Sequence, residues 1–285
     1  MPPRLATVAI ILCWLATTSV LIYREAALRF RSGEPPPFTI DLTDEVSASV
    51  VQWNVIQMGR PIGEGSTQVK RQSDGTFEFS AEFNLDKFKI PIADLKELKS
   101  INTYTVTEEG QLRAASAKLK LRANLPVWGD TSAEIDFKGE VHDHQFHPRL
   151  VVVVAGNEVP PFPLEPFPVS ESGSILNPMH LVHKISGLRE GQTWPIQLLD
   201  PLRAMPAVRD LLPAKGLFVN KLIATVTLED REWQGAMVPC FKIEYAKPDE
   251  LPLAATWVRR RDAVVLEQWA GYEGIEYTLQ RAPGQ

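Results

Sequence analysis

The sequence predicts a mainly β protein. It would form a large, strongly curved antiparallel sheet or half-open barrel with a few short helices, preceded by one N-terminal transmembrane helix. Apolar and polar residues alternate with a period of two along much of the chain, as in strands that bury one face. Turn-forming pairs such as Asp74-Gly75 separate these runs. The uncharged run Leu5–Tyr23 predicts the helix.

The N-terminal run is long enough to anchor the chain in a membrane. At ~1.5 Å per residue, Leu5–Tyr23 extends about 28 Å, close to the thickness of a bilayer core. No small-x-small site ends the run, which favours an uncleaved anchor over a cleaved signal peptide. We therefore predict a membrane anchor and Pro-rich juxtamembrane spacer over residues 1–37, and a single antiparallel β domain over residues 38–285.

Two signals conflict over the orientation of this anchor. Most of the chain follows the helix, which favours a single-pass membrane protein whose β domain is extracytoplasmic, in the periplasm. Arg24, Arg29 and Arg31 follow the helix and oppose export under the positive-inside rule. We expect the extracytoplasmic orientation, because that rule is a bias and Arg4 and the amino terminus precede the helix.

The first half of the domain contains seven predicted strands, at residues 50–57, 64–71, 76–83, 101–107, 112–122, 132–141 and 150–155. Phe77, Phe79 and Phe83 share one face of the third. The unbroken valine run at residues 151–154 predicts a strand that is buried on both faces. Between strands, the spacing of Ile92, Leu95 and Leu98 favours a short helix after Pro91.

The middle of the chain is less regular. Residues 160–168 form an apolar proline loop that excludes a regular strand or helix and is expected to pack back onto the sheet as a plug or lid. A helical turn is expected within residues 177–187, a strand at 191–199 and a short helix at 200–212.

The C-terminal part predicts a meander of five strands, at residues 220–229, 238–245, 253–260, 264–269 and 275–281. In the first of these strands, Leu222, Ala224, Val226 and Leu228 face one way and polar residues face the other. Such a meander has one apolar face, which another element must cover.

Composition excludes several classes of function. A net charge of −5 gives no case for nucleic-acid binding. The two cysteines, Cys13 in the anchor and Cys240 in the meander, provide no disulfide framework. Cys240 alternates with core residues, which favours packing over nucleophilic chemistry. We expect no cofactor, since the chain lacks a phosphate-binding loop, a dinucleotide fingerprint and a Gly-x-Ser-x-Gly elbow.

All five histidines lie within residues 142–183. His142 and His144 would share a strand face and His147 could approach from the next turn, so the three are candidate zinc or copper ligands. The alternative is a polar hairpin turn, since no recognised metal spacing is present. Residues 259–261, three arginines, could likewise contact anionic lipid headgroups or form a solvated turn.

Short motifs carry a family resemblance. They are Thr256-Trp257-Val258-Arg259, Val264-Val265-Leu266-Glu267-Gln268, Tyr277-Thr278-Leu279-Gln280-Arg281 and Trp53-Asn54-Val55. These resemble uncharacterised bacterial envelope β-domain proteins, which are similar in architecture to LolA/LolB-like lipoprotein carriers. The resemblance implies a strongly curved sheet over a hydrophobic cavity, with short helices as a lid. The predicted anchor and the missing lipobox depart from those carriers, which puts active shuttling in doubt.

The leading hypothesis is a membrane-tethered, non-catalytic envelope β-domain. It would bind a hydrophobic ligand, such as a lipid or a lipoprotein acyl chain, or an envelope partner protein. The candidate ligand-binding residues, all available for one concave face, are Trp53, Phe77, Phe79, Phe83, Trp257, Trp269 and Tyr277. Each could instead fill an ordinary core. The alternatives are a structural or assembly scaffold with a filled core, and a metal-dependent enzyme that uses the histidines.

Overall fold

A computed structural model describes residues 50–86, 89–90, 93–108, 111–125, 129–160, 164–169, 184–199, 219–272 and 275–283. All of them belong to one compact unit of the chain. The predicted anchor and spacer, the helix at residues 200–212 and most of the helical turn at 177–187 lie outside this part. Within it, no helix has the length and apolar character needed to cross a membrane.

The regular structure of the described residues consists of strands, with no helix among them. The strands are β1 (Val51–Gln57), β2 (Arg60–Arg71), β3 (Phe77–Asp86), β4 (Lys89–Ile90), β5 (Ala93–Val106), β6 (Leu112–Leu125), β7 (Gly129–His142), β8 (Gln145–Val154), β9 (Asn157–Glu158), β10 (Phe167–Pro168), β11 (Thr193–Leu199), β12 (Val219–Trp233), β13 (Ala236–Ala246), β14 (Ala254–Arg259), β15 (Val265–Tyr272) and β16 (Ile275–Arg281).

All these strands join one antiparallel sheet in the order β10-β8-β7-β6-β5-β3-β2-β1-β16-β15-β14-β13-β12-β11, with β4 beside β5 and β9 beside β8. Most strands pair with the next strand in the chain, as in a meander. The exception is β1, which pairs with β16 and so joins the two ends of the domain. The described strands leave the sheet open, because β10 and β11 end the path. The prediction of a large antiparallel sheet is confirmed.

The hairpin predicted between β2 and β3 shows how local sequence sets the turns. Gly75 has a φ of 84°, which favours glycine. The Asp74 carboxylate accepts hydrogen bonds from the Thr76 backbone N–H at 3.0 Å and hydroxyl at 2.7 Å. This Asx-type arrangement closes the turn and brings β2 and β3 into register.

The short helix predicted at residues 92–98 is wrong, because β5 runs through most of that segment as a strand. A β-bulge explains the helix-like spacing. The register shifts between Leu95 and Glu97, so one extra residue separates Leu95 from Leu98. Both leucines therefore point to one face of the sheet, Leu95 opposite Ala123 and Leu98 opposite Leu121.

Two predictions in the middle of the chain need correction. Within the proline loop, Phe167–Pro168 forms the short strand β10, which pairs with β8 at the sheet edge, where proline is tolerated. The valine run was predicted to be buried on both faces, but only Val152 is fully buried, and Val151 and Val153 are half-buried. The reason is that β8 lies next to the sheet edge, beside only β7 and two short strands.

One face of the sheet carries the main hydrophobic core, and we call it the inner face. Its most buried members, each at most 2 % exposed, include Val51, Trp53, Val55, Leu222, Ala224, Val226, Ile243, Tyr245 and Leu279. This confirms the alternation predicted for the first strand of the meander, β12, whereas β14 and β15 are buried on both faces, so the prediction of a single apolar face is wrong for them. Leu228 has the inward parity but is 41 % exposed, because it lies beyond the core.

The opposite, outer face carries a smaller core on the C-terminal strands. Its buried residues are Cys240, Ala255, Trp257, Val264 and Leu266, with Trp233, Val238 and Trp269 packed against them. As a result, all five residues Ala254 to Val258 of β14 are buried, whichever face they point to.

Close packing at Gly139 generates the first testable prediction. A Cβ added there would collide with the ring of Phe146, which is fully buried, and would lie 2.9 Å from the His147 carbonyl oxygen. We expect Gly139→Ala to lower the free energy of unfolding by about 1–3 kcal/mol, the usual cost of overpacking. Urea denaturation measures the change.

Phe146→Leu provides the matched background for this test, because it removes the ring that the new methyl group meets. In that background the cost of Gly139→Ala should shrink, since only the contact with the His147 carbonyl remains. An equal cost in both backgrounds would contradict this account of the packing.

Candidate functional site

The inner face is covered unevenly. On the strands β11 to β16 most of its apolar side chains are fully buried, whereas on β3 and β5 to β8 many are only half-buried. Cross-strand pairing aligns this second group: Phe79 lies opposite Tyr104, and Leu119 lies opposite Ile135, which faces Val152. The half-buried group comprises Phe79, Phe83, Leu98, Tyr104, Leu119, Leu121, Ile135 and Phe137. We call it the apolar strip.

The structure separates the seven predicted ligand-binding residues into two sets. Trp53, Phe77, Phe79, Phe83 and Tyr277 lie on the inner face, as the pairing of Trp53 with Gly65 and of Gly65 with Phe83 illustrates. Trp257 and Trp269 belong to the smaller core on the outer face. The prediction that all seven share one face is therefore wrong for these two tryptophans.

Local sequence could not place Trp257 and Trp269. Both strands that carry them are buried on both faces, so no polar alternation marks the solvent side. Only the strand register decides which face of the sheet each tryptophan occupies. Thr256 lies opposite Gln268 on the inner face, where Gln268 Nε2 donates to Thr256 Oγ1 at 3.3 Å, and the residues that follow point outward.

Two of the five inner aromatics are ordinary core residues. Trp53 is 1 % exposed, and its indole N–H donates to Thr67 Oγ1 at 3.0 Å. Phe77 is fully buried in a separate cluster that includes Val106 and Phe146. Phe79 and Phe83 stay half-exposed and belong to the apolar strip.

Polar groups on the inner face are mostly neutral and paired. Burial raises the pKa of Tyr245 to about 12, although a hydrogen bond with Thr256 opposes the shift, so this phenol is neutral at physiological pH. Burial also raises the pKa of Tyr104 and of Tyr277. Trp194, at 1 % exposure, differs, since its indole N–H has no hydrogen-bond acceptor among the described residues. Leaving such a donor unpaired costs about 1–3 kcal/mol.

On the outer face, charged side chains surround Trp257. The Arg231 guanidinium lies 4.5 Å and the Lys242 ammonium 5.5 Å from the centre of the indole. The indole N–H donates to Glu229 Oε1 at 2.9 Å. Arg231 also pairs with Glu267, a carboxylate residue that is only 2 % exposed. We call these five residues the ion–aromatic cluster.

The partners within this cluster satisfy one another. Lys242 bridges Glu229 at 3.0 Å and Glu244 at 2.9 Å, and Gln280 Nε2 donates to Glu267 Oε2 at 3.3 Å. The five side chains of the cluster come from β12, β13, β14 and β15, and Gln280 adds a contact from β16. The cluster therefore connects four strands on the outer face, and its buried charge is compensated.

The hairpin between β7 and β8 carries the predicted metal ligands. His142 and His147 approach each other, with ring centres 5.7 Å apart, and His142 Nε2 lies 3.3 Å from Glu140 Oε2. His144 forms the turn with Asp143, at positive φ angles of 60° and 50°, so His142 and His144 do not share a strand face. Among the residues described, no group of three or more His, Cys, Asp or Glu side chains is arranged to hold a metal ion.

Two further candidates are structural in character. Cys240 is 1 % exposed, and burial raises the pKa of its thiol to about 11, so it stays protonated. At the arginine tip, Arg259 and Arg261 pair with Asp262 at 2.8 and 3.3 Å. Arg260 lies over the ring of Phe241 at 5.5 Å. The tip therefore resembles the solvated turn more than a free cationic patch.

Sequence reasoning missed one feature of the outer face, a groove of about 500 Å³ on β5 to β8. Thr103, Ser116, Lys138 and Arg149 are among its lining residues. They come from four different strands, so no local sequence motif predicts that they lie together. The nearest signal was the histidine cluster, since His142 and His147 line the same groove.

Comparison with known proteins yields a likeness in structure but none in sequence. No protein-family model and no curated protein matches the chain. The crystal structure of a β-barrel-like protein of the domain of unknown function DUF1849, from Brucella abortus, aligns with a TM-score of 0.39 and 10 % sequence identity. The alignment covers 82 % of this chain and 94 % of that one. A score this low carries no argument about function.

The ion–aromatic cluster predicts a pH effect. Burial disfavours the charged form of Glu229, but hydrogen bonds from Trp257 and Lys242 outweigh it and hold the pKa below its ordinary value of 4.5. A lowered pKa in the folded state stabilises the protein above the ordinary pKa, and this contribution is lost as pH falls through the folded value. Glu229→Gln should therefore flatten the loss of stability between about pH 6 and about pH 3.

Urea denaturation at several pH values measures this slope. Glu232→Gln, which alters an exposed carboxylate on the same strand, is the matched control. If both variants show the wild-type slope, the network around Trp257 does not favour ionised Glu229.

Proposed function

We propose that the protein is a membrane-tethered, non-catalytic β-domain that binds an acyl chain on the apolar strip. The observation that carries this proposal is the uneven cover of the inner face. Apolar residues of the inner face are mostly fully buried on the C-terminal strands, whereas the eight residues of the apolar strip on β3, β5, β6 and β7 are half-buried. Water contact with that surface costs free energy, which a bound hydrocarbon chain would recover at about 0.8 kcal/mol per buried CH₂.

The dimensions of the apolar strip suit an extended hydrocarbon chain. It crosses four neighbouring strands, β3, β5, β6 and β7. At ~4.8 Å per strand step this is about 14 Å, long enough to hold part of a lipid acyl chain. Small side chains, Ala115, Ala117 and Ala133, alternate across the strip with Phe137 and Leu119, which leaves room for methylene groups between larger ones.

A polar head would find one unsatisfied donor on the same inner face. The buried indole N–H of Trp194 lacks an acceptor among the described residues. A carboxylate or ester carbonyl of the ligand would supply one, and that would remove the cost of an unpaired buried donor. The predicted anchor would tether the domain at a membrane, and the sequence motifs resemble those of proteins similar to lipoprotein carriers, so both predictions support the same class of ligand.

The second candidate is a scaffold with a filled core. The full burial of Trp53 and Phe77 and the tight C-terminal half favour it. The lipid-binding proposal and the scaffold proposal differ only in whether a ligand occupies the apolar strip. A scaffold would leave that surface without a guest, whereas a lipid-binding domain would fill it.

Photolabelling tests the proposal on the full chain. A diazirine-bearing fatty acid should crosslink to peptides of β5 to β8. Leu119→Asn places an amide in the apolar strip and should reduce this labelling about tenfold, as expected for the loss of one buried leucine contact. Mass spectrometry of the digested protein locates and quantifies the crosslinks.

Ile101→Asn is the matched control, since Ile101 is 47 % exposed on the outer face of β5, beside Lys118. It should leave labelling unchanged, and circular dichroism should show both variants folded. Labelling confined to residues 1–49, or equal loss in both variants, would favour the scaffold.

A further inference from the structure

The outer-face groove on β5 to β8 is explained neither by the core nor by the acyl-chain proposal. It has a volume of about 500 Å³. Two cross-strand rows build it: Thr103, Ser116, Lys138 and Arg149 form one, and Thr105, Ala114, Glu140 and His147 form the other. Short side chains on β5 and β6 make a hydroxyl-bearing floor. Long, charged side chains on β7 and β8 make a wall beside it.

The wall is positively charged on a protein whose net charge is −5. Arg149 and Lys138 provide two permanent cations beside His142 and His147, Lys138 pairs with Asp136 outside the lining, and Glu140 is the one carboxylate among the lining residues. That carboxylate already contacts His142 Nε2 at 3.3 Å, so it is turned toward its own strand neighbour.

The two permanent cations of the groove differ in whether another described residue pairs with them. Lys138 pairs with Asp136 at 2.9 Å, whereas Arg149 makes no ion pair or hydrogen bond within the part of the chain that the structure describes. A guanidinium presents a rigid fork of donors that matches the oxygens of a phosphate. Lys138, its neighbour across the sheet on β7, and His147, two residues away on β8 itself, line the same groove.

We propose that this groove binds the phosphate of a phosphorylated polyol. Arg149 would donate hydrogen bonds to two phosphate oxygens, and Lys138 and His147 would donate to the others. The hydroxyls of Thr103, Thr105 and Ser116 would face the polyol. A free metabolite and a phospholipid headgroup both present this phosphate-ester chemistry to the groove, and the experiment below distinguishes them.

Phosphate fits the site better than a carboxylate does. A carboxylate has two oxygens in one plane, which a single guanidinium satisfies. Here donors converge from two strands on a volume of about 500 Å³, and a hydroxyl-bearing floor lies beside them. A tetrahedral dianion attached to a polyol uses all of these groups.

The groove and the apolar strip occupy opposite faces of the same strands. Arg149 points outward, and the next residue, Leu150, is 3 % exposed on the inner face. Changes at Arg149 therefore leave the acyl-chain surface unaltered, and the two proposals stand or fall separately.

Calorimetric titration of the full chain tests the inference. Glycerol 3-phosphate should bind saturably, whereas glycerol should not. Arg149→Gln should weaken binding at least about tenfold, the usual effect of losing a charged hydrogen-bond pair. Arg122→Gln, an exposed arginine on β6 that lies outside the groove and pairs with Asp130 at 3.6 Å, is the matched control and should change affinity less than about twofold.

Dihexanoyl phosphatidic acid, a water-soluble phospholipid, distinguishes the two sources. Arg149-dependent binding that is tighter than that of glycerol 3-phosphate assigns a lipid headgroup. Arg149-dependent binding of equal or lower affinity assigns a free phosphate ester. The proposal would be overturned if both probes failed to bind saturably, or if the Arg149→Gln and Arg122→Gln variants lost affinity equally.

Discussion

The pairing of β1 with β16 is the constraint on which the rest of this sheet depends. Every other principal pairing joins strands that are close in sequence, whereas this one joins the two ends of the domain. Val55 lies opposite Leu279, and beyond β16 the Ala282 N–H donates to the Gln52 carbonyl at 2.9 Å. Closing a loop of this length costs conformational entropy, which the buried residues at the junction must offset. Without the junction, two separate meanders would each expose the apolar edge that the other now covers.

The two halves that meet at this junction differ in how completely they are packed. The C-terminal strands have a core on each face, and the ion–aromatic cluster around Trp257 connects four of them. The N-terminal strands leave apolar residues half-exposed on the inner face and a polar groove on the outer face. The binding proposals rest on this contrast, because a ligand needs accessible surface, whereas the closely packed C-terminal strands supply stability.

The strand period of two allows one sheet to carry two chemically distinct surfaces. Successive residues such as Arg149 and Leu150 belong to opposite faces, so a cationic groove and an apolar strip coexist on β5 to β8. The sheet thereby keeps the polar surface proposed for a phosphate separate from the apolar surface proposed for a hydrocarbon chain. Proximity of such surfaces would suit a protein that the sequence predicts to be tethered at a membrane.

The sequence by itself determined the class of structure, most strand positions and the turns, since alternation and turn chemistry are local properties. Asp74-Gly75 closes its hairpin as predicted, and Leu222, Ala224 and Val226 line the inner face as predicted. The tertiary structure alone decided which face Trp257 and Trp269 occupy, why Leu95 and Leu98 share a face, and that Arg149 and Ser116 line one groove. These depend on register and bulges, which are set by pairing between distant strands, and one residue of slip moves every side chain to the opposite face.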